Sequence, residues 1–275
     1  MNFFKRALRF AKKHIISNPL YLVAYGFAYA SNTYKLSISF FKHEEIVDII
    51  KQGKSLIRIG DGEIYIMNNG SIHYQKYDAQ LKKTFFEIVK NYSADAPYVI
   101  GLNQIPILKS NKELKERNLL NCWLPMKVYF NLFFPKRVKY FDQGMFYYNH
   151  TFPAYLEQQL SDEKVVIVTR QGNIDTLQAN KNFPLKHVTY IATPDVDAFD
   201  EYETISKRLS DEITNSNKMG FEKVFVLAAF GPASKVLAYE YSKRSPYVVV
   251  IDIGRGIEIL YNDQKIDHII YPEKG

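Results

Sequence analysis

Hydrophobic and polar positions change period along this chain. Over 3–16, Phe3, Phe4, Ala7, Leu8, Ala11 and Ile15 recur at three- and four-residue steps. Lys5, Arg6, Arg9, Lys12 and Lys13 fill most of the positions between them. That pattern predicts a basic amphipathic helix. Ser17-Asn18-Pro19 breaks it. A second apolar stretch covers 20–30, with Tyr21, Tyr25 and Tyr29 four residues apart. It is shorter than the roughly 20 apolar residues needed to span a bilayer, and no small-residue cleavage pattern of a signal peptide follows the basic segment. Residues 1–42 therefore read as a helical arm. Either its first 30 residues meet an anionic membrane surface or a partner, or it packs on the rest of the chain.

From residue 43 the pattern alternates between helical and extended periods. Helices are expected over 44–52, 81–91, 112–120, 126–134, 200–215 and 232–243. In the second, Leu81, Phe85, Ile88 and Val89 share one face; in the fifth, Tyr202, Ile205, Leu209 and Ile213 do. Strands are expected over 55–59, 98–102, 164–169, 188–192, 223–228 and 247–252. Runs such as Lys164-Val-Val-Ile-Val-Thr169 are apolar throughout, which suits a strand covered on both faces. The alternation predicts an α/β fold with a mainly parallel sheet flanked by helices. No repeat or linker divides 43–275, so that span reads as one domain.

Composition adds limits. The 275 residues are 47% hydrophobic and 24% charged, which is ordinary globular usage. The 21 Tyr and 19 Phe suit a sugar-binding cleft or a membrane interface, or reflect coding background alone. The net charge of +7 is concentrated in the arm. Residues 1–43 hold seven of the 36 basic side chains and none of the 29 acidic ones, so the remainder balances at 29 against 29. A domain without excess positive charge argues against nucleic acid as the main partner. The single cysteine, Cys122, excludes an intramolecular disulfide and suits a reducing, cytoplasmic setting.

In open α/β sheets ligands gather beyond the carboxyl ends of the strands, and four of the expected ends carry unusual residues. The first is Arg58-Ile59-Gly60-Asp61-Gly62-Glu63. In extended geometry Asp61 and Glu63 point to one side, and Gly60 and Gly62 leave room for a bulky ligand. Such a pair suits a hard cation, Mg2+ or Mn2+, with Arg58 on a phosphate or on Asp61; a solvated Gly-Asp-Gly turn is the plainer alternative. The second is 169–175, a polar loop with Gly172 and Asn173, read as either a nucleotide contact or a connection. The third is 192–199, where Asp197 and Phe199 either meet a base or ribose or start a helix. The fourth is Gly231-Pro232-Ala233, which opens a helix and places free N–H groups where a phosphate binds. Gly-x-Ser-x-Gly, His-Glu-x-x-His and paired-Cys zinc spacings are absent.

Taken in order, these segments resemble the GT-D fold glycosyltransferases, formerly a domain of unknown function in bacterial adhesin and surface-glycan loci. Arg58-Ile-Gly-Asp-Gly-Glu63 is similar to that family's Arg-x-Gly-Asp-Gly-Glu signature, and Gln75-Lys-Tyr-Asp78 to its Gln-x-Tyr-Asp segment. Arg170 to Asp175 resembles its Gly-Asn-Asp loop, and Pro194 with Ala198-Phe199 its Pro-x-x-x-Ala-Phe stretch. Gly231-Pro-Ala-Ser-Lys-Val-Leu-Ala238 and Asp252-Ile-Gly254 match two further elements. Arg255 stands where the family has His, and a guanidinium neither ligates a metal nor relays a proton.

The resemblance implies a Rossmann-like domain, a UDP-sugar donor and a Mn2+ site at Asp61 and Glu63. The expected reaction moves a sugar from a nucleotide-sugar to a glycan, glycolipid or glycoprotein acceptor. It would take place in the cytoplasm or at the inner face of the plasma membrane. Arg255 leaves two rivals open: a nucleotide- or glycan-binding accessory subunit, and a structural protein with a decayed site.

Overall fold

The computed structural model describes residues 19–148, 155, 158–181 and 183–260. The helix expected over 3–16 lies outside them. Among the described residues, eight strands form one sheet: β1 (Ser39–Phe40), β2 (Ser55–Arg58), β3 (Tyr98–Leu102), β4 (Lys139–Asp142), β5 (Lys164–Arg170), β6 (His187–Thr193), β7 (Val224–Ala229) and β8 (Val248–Asp252). Their order is β1-β4-β3-β2-β8-β7-β5-β6, and every neighbouring pair is parallel. The expected strands all form. β1 and β4 are additions, too short for an alternation or an apolar run to announce them.

The residue choice follows from burial. β2, β3 and β8 are buried at every position, and β5 and β7 at all but their last residues. Only a strand covered by helices on both faces excludes water from successive side chains, so these strands carry Val, Ile and Leu without alternation. β6, at the edge, is more open. The first half of the chain extends the sheet from β2 through β3 to β4, and the second half builds β5 to β8 on the other side. β2 and β8 meet where that growth reverses, the place in open α/β sheets where ligands bind beyond the carboxyl ends of the strands. Helix Ala233–Arg244 packs over both strands and is buried along most of its length.

The described part of the arm packs on the domain. Helix Pro19–Ala30 lies against helix Leu120–Phe133. The Tyr21 ring sits 5.8 Å from that of Tyr129, and its hydroxyl donates to the Pro125 carbonyl at 3.3 Å. The Asn111 amide donates to the carbonyls of Ala28 and Ser31 at 2.6 and 2.8 Å. Beside it the fully buried Lys127 ammonium donates to the carbonyls of Lys109 and Tyr34 at 2.7 and 2.9 Å. No carboxylate bonds to this ammonium among the described residues, so carbonyl dipoles carry its solvation, and burial pulls its pKa down to about 8.

Lys127 generates a stability prediction. Lys127→Met leaves those buried carbonyls without their donor and is expected to cost about 2–4 kcal/mol in urea unfolding. The folded-state pKa lies below the ordinary lysine value, so between the two the unfolded chain binds the extra proton. Stability therefore rises in the wild type as pH climbs above about 8, and Lys127→Met removes that rise.

Candidate active site

The β2 carboxyl end sets the site. After Arg58 and buried Ile59 the backbone of Gly60 is extended, and helix Asp61–Met67 begins at once. Glu63, at the third helical position, folds back so that its Oε2 accepts the Gly60 N–H at 2.8 Å. This is the carboxylate half of a capping box. It also overturns the expectation that Asp61 and Glu63 lie on one side of an extended segment. In a helix two residues are about 200° apart, so Glu63 turns inward and is buried while Asp61 stays exposed. The Asp61 Oδ1 accepts the Gly62 N–H at 3.0 Å. Protein packed around it, and then the Glu63 charge, raise its pKa above the ordinary aspartate value.

Beneath Asp61, four charged side chains interlock. Asp252, at the end of β8, is wholly buried. Its Oδ2 accepts the Arg58 N–H and its Oδ1 the Arg58 Nη2, both at 3.2 Å. The Lys235 Nζ lies 3.2 Å from Asp252 Oδ2 and 3.3 Å from Glu63 Oε1. It also donates to the Gly231 carbonyl at 3.2 Å. Burial opposes the Lys235 charge most strongly, but Asp252 and Glu63 together outweigh it and raise the pKa. The Arg58 guanidinium passes 5.8 Å from the Phe146 ring centre and lies against Gly254. Gly254 has φ +45°, and a Cβ there would come within 1.7 Å of Nη2. Only glycine admits the guanidinium to this position.

Tyr74 covers the cluster. A Cβ at Gly231 would meet its ring at 3.2 Å, and one at Gly62 would lie 3.6 Å from its hydroxyl. Partial burial, then the Glu63 charge, push its pKa up to about 12, with Lys235 pulling the other way. The segment around Tyr74 is fastened to the loop after β6. The Asp197 N–H donates to the Tyr74 carbonyl at 2.9 Å. Asp197 Oδ1 accepts the Lys76 N–H at 2.6 Å, and its Oδ2 pairs with the Lys76 ammonium at 2.7 Å. Buried Gln75 accepts the Phe199 N–H at 3.2 Å, and Asp78 caps helix Ala79–Lys90 through the Leu81 N–H.

These contacts relocate several expected ligand residues. Asp197 bonds to Lys76, and Phe199 packs 5.5 Å from the Tyr202 ring centre. The 169–175 segment is not a loop. β5 runs to Arg170, and helix Gln171–Ala179 starts at the next residue. Asn173 is turned inward, donating to Thr169 Oγ1 at 2.8 Å, and Thr169 in turn donates to the Ala229 carbonyl at 3.1 Å. A Cβ at Gly172 would meet nothing within 4 Å. Pro232 and Ala233 are buried at the start of helix Ala233–Arg244, behind Gly231. Arg255 turns outward and pairs with Glu258 at 3.3 Å. Lys235 and Tyr74, which pack into and over this cluster, were not singled out from the sequence. Lys235 had a signal, since it is a lysine directly before the apolar Val236-Leu237-Ala238; Tyr74 had none.

No three His, Cys, Asp or Glu side chains converge as a metal cage among the described residues. The Glu63 oxygens contact the Gly60 N–H and Lys235, whereas Asp61 stays open. A profile of the family described as glycosyltransferase GT-D fold matches residues 56–266, which spans every residue of this cluster. The chain belongs to the GT-D glycosyltransferase family. Solved structures share the architecture of this glycosyltransferase. One is described as a new glycosyltransferase (DUF1792) from Streptococcus sanguinis, at 21% identity and TM-score 0.63 over 80% of this chain and 82% of that one. Another is described as showing that the highly conserved domain of unknown function 1792 has a distinct glycosyltransferase fold, at 20% identity and TM-score 0.62 over 85% and 82%. At these identities the likeness is one of fold. No curated protein sequence matches the chain.

In this GT-D glycosyltransferase the interlocked charges carry a testable cost. Lys235→Met leaves Glu63 and Asp252 short of a buried cation and is expected to lower stability by about 3–5 kcal/mol in chemical denaturation. The space beside the Arg58 guanidinium is equally constrained. Gly254→Ala must displace that guanidinium, and the melting temperature of the variant should fall as well.

Proposed function

We propose that this GT-D glycosyltransferase takes its sugar from a nucleotide-sugar, a UDP-sugar by family resemblance, with the help of Mn2+ or Mg2+. The acceptor is a glycan, glycolipid or glycoprotein. One observation carries the reading. Arg58 and Lys235 balance Glu63 and Asp252, so among the described residues the exposed Asp61 carboxylate has no ion-pair partner beside the carboxyl end of β2. A donor diphosphate brought there meets repulsion unless a cation lies between them. Mg2+ and Mn2+ suit one or two carboxylates completed by substrate phosphates and water. Asp61 fits that part. Glu63 joins it only if its Oε1 leaves Lys235.

The remaining groups bind and orient. When bound, the cation offsets charge on the departing diphosphate. The amino end of helix Ala233–Arg244, opened by Gly231 at φ +72°, offers its dipole to a phosphate, and Tyr74 roofs the turn. Lys235 adds positive potential from below, damped by its two carboxylates. Asp197 acts by holding the Tyr74 segment in place. The reading puts the reaction in the cytoplasm, the reducing setting that a single cysteine suits.

Calorimetric titration of UDP and UDP-sugars, with and without Mn2+, tests this. Wild type is expected to bind UDP in a metal-dependent way, and Asp61→Asn to weaken that binding about tenfold or more while staying folded. Metal-independent binding of equal strength in both proteins would count against the cation reading. Saturable donor hydrolysis by wild type separates a transferase from a binding-only accessory protein.

A further inference from the structure

Helix Pro19–Ala30 carries no Asp, Glu, Lys, Arg or His. It buries Tyr21 and Ala28 toward the domain, half-buries Leu22, Tyr25 and Tyr29, and leaves Leu20, Val23 and Phe27 in water. Leu20, Val23 and Phe27 are 61, 58 and 76% exposed. Steps of three and four residues stack them on one helix face. A continuous apolar face of this kind, on an element already anchored from behind, marks a docking surface.

Charge decides what covers it. Residues 1–43 hold seven Lys and Arg and no Asp or Glu, while the remainder of the chain is balanced. Apolar side chains in a stretch of sequence that carries basic and no acidic residues complement a surface that is anionic outside and apolar beneath. We propose that this face docks on an anionic lipid bilayer. The helix lies in the plane of the surface, with Leu20, Val23 and Phe27 entering the boundary between headgroups and acyl chains. The positive charge of that sequence favours lipid phosphates electrostatically. No described helix is long and apolar enough to cross a membrane. Tyr21 and Asn111 fasten the helix to the domain, so docking also fixes how the carboxyl end of β2 faces the lipid. The proposal does not depend on the donor or the cation.

Co-sedimentation of the full chain with vesicles tests it. Wild type is expected to bind phosphatidylglycerol vesicles and to ignore phosphatidylcholine. Leu20→Ser/Phe27→Ser should weaken that binding by about tenfold or more. Both side chains are exposed, so the variant's circular dichroism and melting temperature should match wild type. Equal binding of the variant and wild type overturns the proposal, because the basic residues then act without the apolar face. Absence of wild-type binding to either vesicle overturns it too. A wild-type dimer that the variant dissociates, with no vesicle binding, assigns the face to a second copy and likewise overturns it.

Discussion

Asp252 is a carboxylate with no access to water at the point where the sheet reverses its growth, and much of the site follows from how that charge is satisfied. Its partners come from β2 and from helix Ala233–Arg244: the Arg58 backbone and guanidinium on one side, the Lys235 ammonium on the other. An isolated buried carboxylate is costly enough that the three elements must sit together. Gly254 is required because the guanidinium occupies the space of its Cβ. Glu63 balances the second cation, which draws the helix after β2 against the helix after β7. The motif residues thus divide by depth. Arg58, Glu63, Lys235 and Asp252 build a neutral floor, and Asp61 projects above it.

A second set of contacts joins the two halves of the sheet. The segment after helix Asp61–Met67 belongs to the β2 side, and the loop after β6 to the far edge. Asp197 and Gln75 bind them together, with the Asp197 carboxylate held below the ordinary aspartate range by its hydrogen bond and ion pair to Lys76. Tyr74 is suspended between these anchors, so its place over Gly231 depends on residues distant in sequence. The position of this aromatic ring is thus set by hydrogen bonds of the backbone around it.

The arm is tied to the same framework by different means. Tyr21 uses ring packing and one hydroxyl, while Asn111 and Lys127 answer the carbonyls at the end of helix Pro19–Ala30 and just beyond it. A buried lysine bonded to carbonyls is a weaker solution than an ion pair, and its depressed pKa records that. The result is a helix held on one face and open on the other.

The order of residues along the chain was enough to dictate the architecture: unbroken Val and Ile runs require strands covered on both faces, and the helical stripes between them require parallel crossovers. It was also enough for the family, because the segments beginning at Arg58, Gln75, Gly231 and Asp252 recur in order. Periodicity reports only which face of an element is apolar, so it could not place Asp61 and Glu63 on opposite sides of a helix that starts at Asp61. Nor could it show that Asn173 faces inward or that Arg255 faces out. Lys235 and Tyr74 join the charge cluster only through tertiary structure. Their contacts join positions far apart in the chain, and a buried charge or an aromatic roof is defined by neighbours that local sequence does not contain.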